Sequence, residues 1–596
     1  MEILKKIFFL LNKRERKRWY LLLVMIMIMA FFDLLGVASV MPFITILTNP
    51  EIIESNNLIF NLYQFLKKFG IQSNEQFLFI VGLLVFLLLL FSLFFKALTI
   101  YAQMRFCHLR EYSIGKRLIE SYLQQPYSWF LSRNSSDLGK NILSEVNQVI
   151  SNGIGPMMIL IVHSAVTFAI MSLLIFVDYK LAISTFCTLG IAYGLIYNFN
   201  RSMLKKIGLL RVEANLSRFK TVSEAFGAIK ALKVKGIEKI YVNRFSKPAN
   251  RYSKYQASAV AIQVIPKYAI EAIAFGGIIL VILYMIARGD SFDNAIPILA
   301  LYAFAGYRLM PALQAIYGAI TKLRFAGPSL DILHNHIKNF KNTNYQKNEI
   351  ISFKHSISLK EVQYYYPKSQ SPALDSINLD IQLGSVVGFI GSTGSGKTTA
   401  IDIILGLLEP SDGNLMVDNK IINFNNKRSW QNKIGYVPQL IYLTDDAILS
   451  NIAFGLETNF IDVKAVEEAS RIANINEFIN NQLPDKYQTR VGEGGVRLSG
   501  GQRQRIGIAR ALYNKPDVLI LDEATSALDN DTESEVMRAL HEIDRNLTII
   551  MVAHRLSTLK KCDKIFIFDD GKVVDSGSYN DLLVRNKDFK SQVNKI

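Results

Sequence analysis

The sequence predicts an α-helical membrane domain of six spans, followed by an α/β domain built around a phosphate-binding loop. Half of the 596 residues are hydrophobic, and the long apolar segments all lie in the first part of the chain. The second part contains a strand-like run over 381–390, a glycine-rich loop and an apolar helix over 398–408, which is the order in which a phosphate loop occurs. We therefore expect a membrane domain at 1–327, a linker at 328–350 and an α/β domain at 351–596.

The net charge of +17 would suit nucleic-acid binding, but the distribution of the basic residues argues against it. A basic cluster directly precedes the first apolar segment, as expected for the cytoplasmic flank of a membrane span next to anionic lipid. This cluster consists of Lys5, Lys6, Lys13, Arg14, Arg16, Lys17 and Arg18. The three cysteines are scattered without CxxC spacing, so neither a disulfide framework nor a metal site is predicted.

Six segments are apolar enough to cross a bilayer whose hydrocarbon core is ~30 Å thick. They lie at about 19–47, 77–102, 154–177, 181–197, 262–287 and 295–320. Long polar connections follow the second and fourth segments and carry most of the Lys and Arg found within residues 1–327. The positive-inside rule therefore predicts a cytoplasmic N-terminus and a cytoplasmic C-terminal domain. Residues 58–66 predict either a short amphipathic helix at the outer surface or a packed loop.

The segment Gly391-Ser-Thr-Gly-Ser-Gly-Lys-Thr398 has the composition and spacing of a phosphate loop. Its glycines let backbone N–H groups converge on phosphates, Lys397 suits the β- and γ-phosphates, and the hydroxyl of Thr398 suits Mg²⁺. Downstream, an apolar run ends at Asp522 and Glu523. Asp522 is placed to reach the metal, and Glu523 to polarise the attacking water. The sequence therefore predicts hydrolysis of ATP with Mg²⁺.

The order of the phosphate loop, Leu498-Ser-Gly-Gly-Gln502 and the two acids resembles the ATP-binding cassette. The apolar half in front of it resembles the exporter type of ABC transporter, and the resemblance covers essentially the whole chain. It implies that Tyr366 stacks on adenine, that Gln439 contacts Mg²⁺ and the attacking water, and that His554 contacts the γ-phosphate.

Further roles come from the same resemblance. Asp529 matches the loop that links the two nucleotide sites of a dimer, and 489–495 matches a segment that contacts the coupling helices. Those coupling helices are expected at the polar breaks in the two long cytoplasmic connections, at about 135–140 and 224–230.

The resemblance assigns three groups of residues. The catalytic residues are Glu523, His554 and Gln439. The metal ligands are Thr398, Gln439 and Asp522. The nucleotide-binding residues are Tyr366, Gly391, Ser392, Thr393, Gly394, Ser395, Gly396, Lys397, Thr398, Thr399, Leu498, Ser499, Gly500, Gly501, Gln502 and Asp529.

One chain with a single membrane half and a single cassette is expected to need a twofold partner to close its nucleotide site. Both Glu523 and His554 are present, so neither expected site is degraded. The simplest partner is a second copy of the chain, although a heterodimer remains an alternative.

Polar residues within the membrane segments are candidates for contact with cargo, because such residues are costly there. Asp33 and Arg308 lie deep in the first and sixth segments. Either the two side chains pair with each other, or Arg308 faces a cavity. Lys267 and Glu271 are spaced to pair with each other, Lys96 is expected to extend to the membrane surface, and His163 is either an interior residue or a ligand contact.

The segments Val40-Met-Pro-Phe-Ile-Thr45 and Tyr307-Arg-Leu-Met-Pro311 resemble those of bacterial flippases of lipid-linked oligosaccharides. This resemblance implies a homodimer in the bacterial cytoplasmic membrane that flips a polyprenyl-pyrophosphate glycan, with membrane lipid around it and no nucleic-acid partner. The alternative within the class is an exporter of another lipid, a drug or a peptide. The six predicted spans disfavour a soluble cassette protein. Measurement of substrate-stimulated ATP hydrolysis and of vectorial transport in vesicles distinguishes a pump from a gated channel.

Overall fold

A computed structural model describes most of the chain. The described residues are 2–48, 59–61, 63–64, 68, 73–177, 179–269, 271–273, 275–276, 279, 292–339, 349–524, 529–543, 547–552, 559–587 and 589–590. The contacts between residues divide the chain into two compact units. The first comprises 1–125 and 133–342, and the second comprises 126–132 and 343–596.

Long helices form the first unit. In chain order they are α1 Glu2–Leu10, α2 Lys13–Ala38, α3 Val40–Thr48, α4 Asn74–Leu123, α5 Tyr127–Leu131 (which groups with the second unit), α6 Ser135–Lys140, α7 Val146–Val149, α8 Gly155–Val177, α9 Tyr179–Gly227, α10 Ile229–Lys235, α11 Glu238–Val264 and α12 Phe292–Asn339. Two π-helical segments, Asn141–Glu145 and Ile150–Ile154, flank α7.

Three described stretches are long and apolar enough to cross a membrane: Lys13–Leu47, Asn74–Leu123 and Ser135–Phe176. They contain the first three spans predicted from the sequence. The fourth and sixth predicted spans fall on α9 and α12, whose side chains are described only in part. Much of the fifth span and of the outer segment 58–66 lies outside the described residues.

The first span is interrupted between its two helices. Ser39 ends α2, and its Oγ donates a hydrogen bond of 3.0 Å to the carbonyl of Gly36. The start of α2 is fixed by a capping box, in which Asn12 accepts from the backbone of Glu15 and Glu15 accepts from that of Asn12. Such reciprocal bonds satisfy N–H groups that a helix start leaves unpaired.

Two expectations from the sequence are corrected. Helix α12 continues to Asn339, so residues 328–339 are helical rather than linker, with Pro328 inside the helix. The run 381–390 is not one strand, because β2 ends at Gln382 and β3 begins at Val386.

The second unit contains two β-sheets. The strands are β1 Ser356–Tyr364, β2 Leu374–Gln382, β3 Val386–Gly391, β4 Asp412–Val417, β5 Lys420–Ile421, β6 Ile434–Val437, β7 Val518–Asp522, β8 Thr548–Val552, β9 Lys564–Asp569 and β10 Lys572–Gly577. An antiparallel sheet has the order β2-β1-β4-β5. A larger sheet has the order β10-β9-β3-β8-β7-β6, in which every pairing but β10 with β9 is parallel.

Helices cover the larger sheet. They are α13 Lys397–Ile404, α14 Lys427–Gln431, α15 Ile448–Ile452, α16 Val463–Ile472, α17 Asn476–Gln482, α18 Gly500–Leu512, α19 Asn530–Ile543 and α20 Tyr579–Arg585. Alternate residues of β7 enter two different hydrophobic cores: Leu519 and Leu521 face one, and Val518 and Ile520 the other. Because both faces of the sheet are buried, its parallel strands read as continuous apolar runs in the sequence.

Candidate nucleotide site

The phosphate loop connects the end of β3 to the start of α13. Its lysine is held within the loop: Nζ of Lys397 donates to the carbonyl oxygens of Gly391 at 2.9 Å and Ser392 at 2.7 Å. Gly396 occupies the N-cap of α13, so the first N–H groups of the helix and the ammonium lie at one end of the sheet. This combination of helix N-terminus and cation suits a phosphate.

Two glycines of the loop have conformations that other residues cannot adopt without strain. Gly391 has φ = 149°, and a Cβ there would lie 2.2 Å from the carbonyl oxygen of Phe568. Gly396 has φ = 102°, and its Cβ would lie 2.9 Å from the carbonyl oxygen of Ala373. The loop therefore depends on glycine at both positions for its path.

Two neighbouring parallel strands bring an amide and a carboxylate together at the same edge of the sheet. Gln439 follows β6, Glu523 follows β7, and the two strands are paired in register. Nε2 of Gln439 donates a hydrogen bond of 2.6 Å to Oε2 of Glu523. Glu523 has φ = 51°, a left-handed conformation that is unusual for a non-glycine residue and is found at functional sites.

The charged groups of this edge are largely buried. Asp522 is 6% and Lys397 is 7% exposed. Burial lowers the pKa of Lys397, and the negative charges of Glu523 and Asp522 oppose that shift. Burial also raises the pKa of Asp402 to about 6, and the charge of Asp522 raises it further. The acidic groups and the lysine therefore influence one another's protonation.

The donor set at this edge fits Mg²⁺. Thr398 offers a hydroxyl, Gln439 an amide oxygen and Asp522 a carboxylate, and oxygen ligands of this kind, completed by phosphates and water, are what Mg²⁺ prefers. Among the described residues no group of three or more His, Cys, Asp or Glu could hold a metal by itself. Thr398, Gln439 and Asp522 would therefore hold Mg²⁺ together with the phosphates of a bound nucleotide.

Tyr366 lies beside the start of the phosphate-loop helix. Its hydroxyl and Oγ1 of Thr399 are 3.0 Å apart in a hydrogen bond, and its ring meets that of Tyr364 edge-on with centroids 5.1 Å apart. The ring is partly exposed. It is therefore held in place by side chains while part of its surface stays accessible, as a base-stacking aromatic requires.

The segment Leu498–Gln502 begins α18 with a capping box. Oγ of Ser499 accepts from the backbone N–H of Gln502 at 3.2 Å, and the side chain of Gln502 accepts from the backbone N–H of Ser499 at 2.8 Å. Leu498 is buried, whereas Ser499 and Gly500 retain exposure. Within the described residues, no hydrogen bond joins this segment to 391–399 of the same chain.

Asp529 precedes α19 and is fixed by Thr532, whose backbone N–H and hydroxyl both donate to its carboxylate. These hydrogen bonds lower the pKa of Asp529, and the charge of Arg505 contributes to the same shift. His554 and the residues 525–528 that precede Asp529 lie outside the described part of the chain.

Comparison with known proteins assigns the family. Residues 52–305 match the ABC transporter transmembrane region, and 374–526 match the ABC transporter domain. The ATP-dependent lipid A-core flippase of Saccharophagus degradans is 31% identical over 481 residues, which cover 80% of each chain. The chain belongs to the ABC transporters. It is an exporter half-transporter that hydrolyses ATP to drive transport across a membrane.

Other relatives of this ABC exporter agree on the fold. The heterocyst differentiation ATP-binding protein HepA of Nostoc sp. is 30% identical over 479 residues, covering 79% of this chain and 76% of that protein. The solved structure of a bacterial Atm1-family ABC exporter with ATP bound has a TM-score of 0.79 at 21% identity, covering 98% of this chain and 99% of that one. The latter likeness concerns the fold alone.

Two further residues close to Asp522 were not predicted from the sequence. Asp402 lies on α13 and shares the buried acidic environment of Asp522. Tyr436 lies on β6, and its hydroxyl interacts with Asp522 while burial raises its pKa. The sequence contains a usable signal for Asp402, because it lies one helical turn after Thr398. The position of Tyr436 beside Asp522 could not be predicted from the sequence, because it depends on which strands are neighbours in the sheet.

The polar residues of the membrane unit are placed as follows. Asp33 is fully buried, accepts a hydrogen bond of 3.0 Å from Oγ of Ser92, and forms an ion pair of 3.5 Å with Nζ of Lys96. Lys96 thus points inward rather than to the membrane surface. Nζ of Lys267 lies 3.6 Å from the carboxylate of Glu271, as the spacing predicts. The side chain of Arg308 lies outside the described part.

Proposed function

We propose that two copies of this ABC exporter assemble in the bacterial cytoplasmic membrane and flip a polyprenyl-pyrophosphate-linked oligosaccharide, using ATP hydrolysed on the cytoplasmic side. The observation that carries the proposal is the assembled nucleotide site on a chain whose relatives, matched over 80% of both chains, are named lipid A-core flippases. Both the proposed cargo and lipid A-core place a sugar-bearing polar head on an apolar lipid, so they pose the same transport problem.

The phosphate loop binds the nucleotide. The ammonium of Lys397 donates three hydrogen bonds to oxygens of the loop itself. In the ATP complex it donates to the β- and γ-phosphates instead. Tyr366 stacks on the adenine. Thr398, Asp522 and Gln439 would hold Mg²⁺, and the ion would neutralise phosphate charge and help to align the reacting oxygens.

Glu523 acts as the general base for the attacking water. Its carboxylate already accepts a hydrogen bond from Gln439 at 2.6 Å, which fixes its direction at the end of β7. In the ATP complex the base accepts the proton of the water as the water attacks the γ-phosphate, and ADP leaves from the opposite side. His554 is proposed to contact that phosphate.

The segment Leu498–Gln502 of one subunit closes the site of the other. The N-terminus of α18 carries partial positive charge and free N–H groups near Ser499, and this end retains exposure. It is therefore suited to the γ-phosphate of a nucleotide bound by the partner. A dimer of identical chains would then contain two equivalent sites.

The deciding experiment is flipping in proteoliposomes. The purified protein is reconstituted with a fluorescent polyprenyl-pyrophosphate oligosaccharide or, separately, with lipid A-core, and ATP-dependent loss of the outward-accessible label is followed. We expect flipping of the polyprenyl substrate that is lost in Glu523→Gln and retained in Glu468→Gln. Glu468 is a matched control because it is an exposed glutamate paired with Lys515 at 2.9 Å.

The outcomes separate the candidates. Flipping of lipid A-core alone would replace the proposed cargo, although the flippase mechanism would stand. ATP hydrolysis stimulated only by a drug or peptide, with neither lipid moved, would contradict flipping and favour the alternative exporter. Mixed dimers with one Glu523→Gln subunit test assembly, since a homodimer with coupled sites should lose more than half of its activity.

A further inference from the structure

The membrane unit contains a cavity of about 300 Å³ between α8, α9 and α12. Its wall is almost entirely apolar, with side chains such as Met171, Leu174, Leu313 and Ile316. This volume is about twice that of an engineered apolar cavity of ~150 Å³ that admits benzene. No lysine, arginine, aspartate or glutamate belongs to its described lining, so it does not suit an anionic head group.

The cavity is long. Its lining on α9 extends from Ala182 to Tyr197, and on α12 from Leu309 to Ile320. At 1.5 Å per residue these stretches correspond to roughly 22 Å and 16 Å along the helix axes. An apolar lining that extends this far along two helices suits an extended hydrocarbon chain lying beside them.

Two glycines on one face of α9 leave this space open. Gly190 and Gly194 both line the cavity, and a Cβ at either position would have no described atom within 4 Å. Small residues at this spacing in membrane helices usually allow a neighbouring helix to approach closely. Among the described residues no helix approaches either glycine in this way, so the missing side chains enlarge the cavity instead.

Two hydroxyl groups at the cavity have no hydrogen-bond partner among the described residues. They are Oγ1 of Thr167, a residue that is 8% exposed, and the hydroxyl of Tyr193. The Tyr193 ring is held against that of Tyr317 with centroids 5.5 Å apart. A buried hydroxyl without a partner is unfavourable, and an ester carbonyl on a bound chain would satisfy one of them.

We propose that this cavity binds one acyl chain of a bilayer phospholipid, with an ester carbonyl accepting a hydrogen bond from Thr167 or Tyr193. The bound chain fills the space between the three helices and stabilises their arrangement, so that ATP hydrolysis depends on phospholipid. We take the site to be separate from the path of the flipped lipid's head group, because the described part of its lining has no charged partner for that group.

The test uses the full-length dimer in vesicles that contain a phosphatidylethanolamine with a photoactivatable diazirine on one acyl chain. After irradiation, mass spectrometry should find labelled peptides at Met171, Tyr197 and Leu313. Gly194→Leu fills the cavity and should reduce this labelling by about tenfold, the effect of displacing about two buried methylenes. In Gly194→Leu, labelling near the exposed Phe168 should stay as in the unmodified protein. The ATP hydrolysis of this variant in detergent should no longer be stimulated by added phospholipid.

Leu195→Phe is the matched control, since it adds bulk to the neighbouring position on α9, where the side chain is 67% exposed. It should keep full cavity labelling. If Gly194→Leu does not fold, the double variant Thr167→Val with Tyr193→Phe is used instead, and labelling by an ester-linked lipid is compared with labelling by its ether-linked analogue. The ester-linked lipid should label the unmodified protein more strongly. The double variant should be labelled equally by both lipids.

Two results would overturn the proposal. One is the absence of label on the cavity residues, or equal labelling in Gly194→Leu. The other is displacement of the label by an excess of lipid-linked oligosaccharide, which would make the occupant the flipped lipid's tail. Neither result bears on whether the protein flips that oligosaccharide, which is measured separately.

Discussion

The amide of Gln439 and the carboxylate of Glu523 are joined by a hydrogen bond of 2.6 Å between the ends of two parallel strands. This contact fixes the orientation of the proposed base before any nucleotide arrives. It also joins the segment after β6, which contains the exposed Leu440 and Tyr442, to the centre of the hydrolysis site. A displacement of that segment would therefore move the base.

Replacing Glu523 by glutamine should abolish turnover while leaving ATP binding intact. Glutamine has nearly the same shape but no basic oxygen. The rate of hydrolysis should therefore fall by about 10²- to 10⁴-fold, as expected for loss of a general base. Steady-state phosphate release measures the rate, and a fluorescent ATP analogue measures binding. Loss of binding in parallel with turnover would assign Glu523 a structural role.

Ser499 tests whether the start of α18 contacts phosphate. Ser499→Asp should preserve the cap, because aspartate is an equally good N-cap residue, but it places a negative charge where the partner's γ-phosphate is expected. We expect unchanged thermal stability and a loss of ATP hydrolysis of more than tenfold. Ser499→Thr, which keeps both cap and neutrality, should retain most activity. Equal activity in the two variants would contradict the proposed contact.

The sequence predicts those parts of the proposed nucleotide site whose arrangement depends on residues close together in the chain. The positions of Gly391, Gly396 and Lys397 follow from a spacing that places backbone N–H groups and an ammonium at a helix start. Asp522 and Glu523 follow from their place after a buried strand. Pairings between distant segments, such as that of Asp33 with Lys96, could not be predicted from the sequence, because no local pattern encodes which helices are neighbours.

The ends of the long helices were also missed. Pro328 and the polar residues after it suggested a linker, but α12 continues to Asn339, because a helix packed against its neighbours tolerates a proline that an isolated helix would not. Leu330 and Leu333 in this stretch are buried, and that burial outweighs the local signal.

A fully buried ion pair joins three helical segments of the membrane unit. Nη2 of Arg211 on α9 donates to Glu145 at 2.6 Å and to Ser329 on α12 at 2.6 Å, and Asn215 donates to Glu145 at 3.0 Å. Both charged side chains have 0% exposure. Glu145 ends a π-helical segment, so the pair fixes an irregular turn against two regular helices.

Arg211→Met should strongly destabilise the protein, because it leaves the carboxylate of Glu145 buried without its partner. Breaking such a pair costs about 3–5 kcal/mol, which should appear as a large fall in the midpoint of thermal unfolding measured by tryptophan fluorescence in detergent. The double variant Arg211→Met with Glu145→Leu removes both charges and should recover much of the loss. No recovery would mean that the methionine disrupts the helices for steric reasons.

Cys562 provides a test at alkaline pH. Its side chain is 7% exposed, and burial raises the pKa of the thiol from 9.0 to about 12, with the charge of Asp563 adding to the shift. Between these values the unfolded chain loses the proton while the folded chain keeps it, so raising the pH favours unfolding. The expected loss is about 1.4 kcal/mol per pH unit in this window, and it is absent below pH 9.

The comparison is between the unmodified protein and Cys562→Ala. Between pH 8 and pH 10 the unmodified protein should lose more thermal stability than the variant, even if the variant is less stable at pH 8 because of the small cavity it creates. In the folded protein, Cys562 should also resist iodoacetamide at pH 10, whereas in the unfolded chain it should be alkylated. Equal pH dependence of the two proteins, or rapid alkylation of Cys562, would show that the thiol is not held protonated by burial.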